Sequence, residues 1–178
     1  MNKKKILIWE MAGMAFIFLL GALFHFIYEM SGYLKPIAVI GAVNESTWEH
    51  IKIGFWPAFI FGIIEFFSFG RKIKAFLFAK SISYLVIAFL IPGLFYLYIF
   101  ITGENNLAVD ILIFLIAIIV AQLASYKIIS GRRYHAWMQV IGIILLIIEV
   151  LAFSLFSYYP PRFELFRDPI YGKFGIMK

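Results

Sequence analysis

Five stretches of this chain, residues 6–30, 51–69, 81–101, 107–126 and 135–158, are long and almost wholly apolar. The hydrocarbon core of a bilayer is about 30 Å thick, and a helix needs on the order of 20 apolar residues to cross it. Each run meets that length. None alternates polar with apolar residues as a barrel strand does, so helices are the form that satisfies their backbone in lipid. The chain is 63% hydrophobic and 15% charged, whereas soluble domains are nearer 45–50% apolar and roughly 25% charged. Too little polar surface is left to cover a water-soluble globule of 178 residues. The apolar excess excludes a disordered chain, and the absence of cysteine excludes a disulfide-stapled domain. The expected fold is all-α: one polytopic membrane domain over residues 1–178, a bundle of five transmembrane helices, with 159–178 as a tail.

The breaks between the runs carry the charges and the turn residues. Lys and Arg set orientation. With the N-terminus in the cytoplasm, Lys3, Lys4, Lys5, Arg71, Lys72, Lys74, Lys80, Lys127, Arg132 and Arg133 lie inside. Lys35, Lys52, Arg162, Arg167, Lys173 and Lys178 then lie outside. This bias predicts a multi-pass protein of a bacterial cytoplasmic membrane, N-terminus in and C-terminus outside. The first run reads as a retained helix, since it is long for a signal sequence and carries Glu10, His25 and Glu29. The net charge of +6 follows from the same bias. No basic stripe is interleaved with stacking aromatics, so no nucleic-acid partner is expected, and Arg132, Arg133 and Lys127 suit inner-leaflet phosphates.

An ionisable residue at mid-span costs roughly 2.5–3.5 kcal/mol on insertion scales, which marks it as functional by default. On a helical wheel Glu10, Gly21, His25, Tyr28 and Glu29 share one arc of the first run. His50, Gly54, Pro57, Glu65 and Ser68 share one in the second, and His135, Gln139, Gly142, Glu149 and Ser157 one in the fifth. These three seams are expected to face one another. At a rise of ~1.5 Å per residue, Glu10 lies roughly 22 Å below His25, and Glu65 as far below His50. An outer group of His25, Glu29, Glu45, Glu49, His50 and Glu149 is therefore expected above an inner pair, Glu10 and Glu65. Gly54, Pro57, Gly62 and Pro92-Gly93 could break the second and third helices, as in transporters.

The segment Asn44-Glu45-Ser46-Thr47-Trp48-Glu49-His50 has the pattern of a capping box, Ser46 pairing with Glu49. That puts His50 on the first turn of a helix. Asn44-Glu45-Ser46 also fits a glycosylation acceptor, although a cap accounts for it better. Together with His25-x-x-x-Glu29 and Phe166-Arg167-Asp168-Pro169-x-x-Gly172-x-x-Gly175, this motif resembles an uncharacterised family of small bacterial multi-spanning membrane proteins, a domain of unknown function. The resemblance runs the length of the chain and implies the membrane fold. It implies no activity and no catalytic residues.

His25 and Glu29, one helical turn apart, can share an ion. With Glu49 or Glu45 and His50 they give a donor set suited to Zn²⁺, Fe²⁺ or Mn²⁺. The same acids, Glu29, Glu45, Glu49, Glu65 and Glu149, could bind protons or a small polar ligand. The bland alternatives are a capping Glu49, an interfacial His50 and a packing contact between His25 and Glu29. The leading expectation is binding of a cation or small polar ligand in an outward-facing pocket, in transport or as a subunit of a transporter. A second is a metal-dependent hydrolase at the outer leaflet, with Glu45 or Glu49 as general base. A third is a structural subunit that meets a protein partner through Ala12, Gly13, Ala15, Gly21 and Ala22 of the first helix.

Overall fold

The computed structural model describes residues 2–131 and 134–176. Arg132, Arg133 and Lys178, expected at the membrane surfaces, lie outside the described residues. The described chain forms five long helices, α1 Lys3–Met30, α2 Thr47–Ser68, α3 Phe76–Thr102, α4 Leu107–Ile129 and α5 Ala136–Leu155. All five are long and apolar enough to cross a membrane. Short 3-10 turns lie at Lys35–Val39, Gly70–Lys72 and Glu164–Phe166. No strand occurs among the described residues, beyond one isolated antiparallel bridge between Arg167 and Phe174.

Successive helices run in opposite directions, as the end-to-end contacts His25–His50, Glu65–Lys80 and Tyr98–Asp110 show. The end that carries Lys3 is called proximal here, and the end that carries the 31–46 connection distal. α1, α2, α3 and α4 close a ring in which each packs on two neighbours, and α5 lies against α3. Ile17, Ile51, Phe55, Ile87 and Ile118 fill the middle of the ring with almost no exposure. Phe55 stacks on Phe153 of α5 at 4.2 Å between ring centroids, extending this core to the fifth helix.

The helix boundaries depart from the sequence expectation where polar residues find partners inside the bundle. α3 begins at Phe76 rather than at residue 81, so Lys80 is a buried helical residue instead of a flanking charge. α2 begins at Thr47, which brings Trp48, Glu49 and His50 into the helix. Neither α2 at Pro57 nor α3 at Pro92 is interrupted; the expected broken helices do not occur, because neighbouring helices accommodate single prolines.

The small residues of α1 serve two surfaces. Gly13 and Gly21 are buried in the bundle, where a methyl group would collide with Gln122 and Phe61 or with Phe114 and Ile53. Ala12, Ala15 and Ala22 face outward.

Candidate functional site

The distal end is organised by the 41–46 loop and the C-terminal tail. Asn44 donates from Nδ2 to the Gly175 carbonyl at 2.9 Å and accepts the Ser46 N–H at 2.8 Å. Its side chain is therefore engaged at both ends and 7% exposed, a structural role rather than a glycosylation acceptor. Asp168, fully buried, accepts three backbone N–H groups, from Glu45 at 2.9 Å, Ile170 at 2.8 Å and Tyr171 at 2.6 Å. Trp48 stacks on Phe153 at 4.6 Å and meets Phe166 of the tail at 4.7 Å. Gly175 has φ +68°, where a side chain would be strained. The motif residues are thus the parts that clamp the tail across the bundle end.

This clamp holds Glu45 over α1 and α2. His25 Nε2 and His50 Nε2 are 3.3 Å apart, and Glu45 Oε2 lies 3.6 Å from each. Tetrahedral Zn²⁺ with ligand bonds of about 2.0–2.1 Å has donor atoms about 3.3–3.4 Å from one another. The three observed separations are close to three edges of such a tetrahedron, and among the described residues no fourth His, Asp or Glu joins the group. His50 Nδ1 lies 2.9 Å from the Ser46 carbonyl. A carbonyl only accepts, so Nδ1 carries a proton, and Nε2 is the ring nitrogen turned toward Glu45 and His25. Such a carbonyl–imidazole contact is the usual outer support of a metal-ligating histidine. The side chains are 26% exposed at His25, 34% at His50 and 43% at Glu45, so the group opens at the distal rim.

Glu29 and Glu49 do not join this cluster. Glu29 is exposed and takes a long hydrogen bond from Tyr33 at 3.4 Å. Glu49, the neighbour of His50 on α2, is buried and ion-paired with Lys52. It also accepts the Val43 N–H at 3.0 Å and the Ser157 hydroxyl at 2.8 Å. Lys52 in turn donates to the Ala38 carbonyl at 2.7 Å and to Ser157 at 2.6 Å. The expected capping box is not formed. Ser46 is the N-cap without a side-chain bond, and the Glu49 carboxylate is drawn inward by the Lys52 ammonium.

The inner pair is a triad. Lys80 of α3 reaches both Glu10 oxygens, at 3.0 and 3.1 Å, and forms an ion pair with Glu65. Ser125 of α4 donates to Glu10 Oε1 at 2.7 Å, and Gln122 to the Glu10 carbonyl at 3.3 Å. Glu10 and Glu65 have no exposed surface. The expected inner pair is thus held together by a lysine between its two carboxyl groups.

The polar seam of α5 divides. Gly142, Glu149 and Ser157 turn inward, whereas His135 and Gln139 are exposed. Glu149 is 4% exposed and has no hydrogen-bond partner among the described residues. It belongs to neither the rim group nor the triad. The seams of α1 and α2 therefore converge as expected; α3 and α4 complete the triad, and Ser157 of the fifth seam joins α2 at Glu49 and Lys52. Sequence reasoning missed Lys80, Ser125, Gln122, Lys52, Ser157 and Asp168 as partners. The signal for Lys80 was its spacing: with Tyr84, Ile87 and Ile91 it recurs on one helical face, and all four are buried.

No curated protein and no solved structure gives a significant match to the chain. One family model covers residues 1–176. The chain belongs to that family, a family of unknown function designated DUF6512.

Proposed function

We propose that this chain is an integral membrane protein of the bacterial cytoplasmic membrane that captures a divalent transition metal at its extracytoplasmic rim. In this reading the five helices cross the bilayer with the N-terminus inside, and lipid covers the apolar outer faces of the bundle. His25, Glu45 and His50 are the metal ligands. Zn²⁺, Fe²⁺ and Mn²⁺ all suit two imidazoles and a carboxylate. The observation that carries the proposal is the 3.3, 3.6 and 3.6 Å triangle of donor atoms, with His50 oriented by the Ser46 carbonyl.

Three protein donors and half-exposed ligands suit an ion that enters and leaves, so the function is metal uptake or delivery, in a transporter or one of its subunits. A hydrolase would need a free general base beside a metal-bound water. Neither residue expected in that role is free, since Glu45 is one of the ligands and Glu49 is held by Lys52. Equilibrium dialysis of the purified protein with Zn²⁺ tests the proposal. One ion per chain is expected, lost in His25→Ala and in His50→Ala and retained in Glu29→Gln. Equal binding in wild type and the double histidine variant overturns it.

A further inference from the structure

Glu10, Glu65 and Lys80 place two carboxyl groups around one ammonium in a region with at most 2% exposure. Fully ionised, the group carries a net charge of −1, which a low-dielectric interior strongly disfavours. The donors are unequally shared. Lys80 has three N–H groups; two contacts go to the Glu10 oxygens, and the ammonium also faces Glu65 Oε2. Glu10 gains a further donor from Ser125, whereas Glu65 Oε1 has no hydrogen-bond partner. Glu10 is therefore the carboxylate of the two that has more hydrogen-bond donors.

We propose that the triad is a buried one-proton binding site, with Glu65 the residue that takes up and releases the proton. Protonated Glu65 makes the group electrically neutral; on release it leaves one uncompensated negative charge between α1, α2 and α3. α1 brings Glu10, α2 brings Glu65, α3 brings Lys80 and the phenol of Tyr84, and α4 brings only the uncharged Ser125 and Gln122. α5 brings Glu149, which has no bond to the triad. A cleft of about 460 Å³ between α2, α3 and α5 has Lys80 as the one charged residue on an otherwise apolar wall. The inference does not depend on the metal at the rim.

Infrared difference spectra of the full-length protein in lipid vesicles test it, recorded from about pH 5 to about pH 9. All variants carry Glu149→Gln, so that this second buried carboxyl cannot contribute. A protonated-carboxyl band that disappears with rising pH is expected in that background. Glu65→Gln should abolish it. Glu10→Gln should also abolish it, because Lys80 and ionised Glu65 then form a neutral pair that needs no proton. Should Glu65→Gln fail to fold, Glu65→Asp decides: it should move the frequency or the midpoint of the band, and an unmoved band overturns the proposal. Persistence of the titrating band in Glu65→Gln or in Glu10→Gln, or its absence when the triad is intact, overturns the proposal.

Discussion

Asp168 and Glu45 are 123 residues apart in sequence, yet the Asp168 carboxylate accepts the Glu45 backbone N–H at 2.9 Å. Glu45 itself lies 3.6 Å from both His25 and His50. The C-terminal tail thus positions a side chain of the rim site without touching it.

Asp168→Ala should leave three partly buried N–H groups without an acceptor and release the tail. Water can reach groups of this kind, so the loss should fall below the ~1–3 kcal/mol per group that full burial would cost. Metal affinity should fall ~10–100-fold, as it does when an outer support of a ligand is removed. Glu164→Ala, in an exposed pair with Arg167, should alter neither. Thermal unfolding and Zn²⁺ titration of both variants check this.

Metal binding at the rim should weaken on acidification. Protons and the metal compete for the same imidazole nitrogens, so affinity should drop from about pH 7 to about pH 5. Glu45→Gln should bind more weakly but keep the same direction of pH dependence, because the histidines are unchanged. A flat isotherm series across that range would remove His25 and His50 from the ligand set.

Glu49→Gln should be strongly destabilising. It strands the Lys52 ammonium, which has no exposed surface, and breaking a buried pair in this way costs about 3–5 kcal/mol. Combining it with Lys52→Met should recover most of that loss, since no buried charge then remains. Unfolding midpoints of the single and double variants in detergent give the comparison; additive losses would show that the two residues are not coupled.

Gly142→Ala should loosen α5 from α3. The added methyl would lie 2.5 Å from the Phe78 backbone nitrogen and 2.6 Å from its Cα, and backbone atoms cannot swing aside. Overpacking of this kind costs about 1–3 kcal/mol. Gly93→Ala, on α3 with nothing within 4 Å of the new methyl, should be neutral or slightly stabilising. Proteolysis at the 130–135 connection and thermal unfolding would separate the two.

The five helices were legible in the sequence because length and apolar composition are local properties that each run satisfies alone. The pairing of His25 with His50 was legible too, because each lies at the distal end of its helix and on a polar seam. Glu49 was misread, since its local pattern favours a cap and only the folded bundle supplies the Lys52 and Ser157 contacts that draw the carboxylate inward.

Composition and the unbroken apolar runs by themselves determined that the protein folds as apolar helices, since helices and closed barrels are the forms that bond their own backbone in lipid and these runs do not alternate as barrel strands do. Tertiary structure decided which charges neutralise one another. Lys80 meets Glu10 across 70 residues and Ser157 meets Glu49 across 108; such pairs follow from which helices lie side by side. A period of 3.6 residues states which face a side chain occupies, but not which neighbour stands opposite, and electrostatic partnership depends on that neighbour.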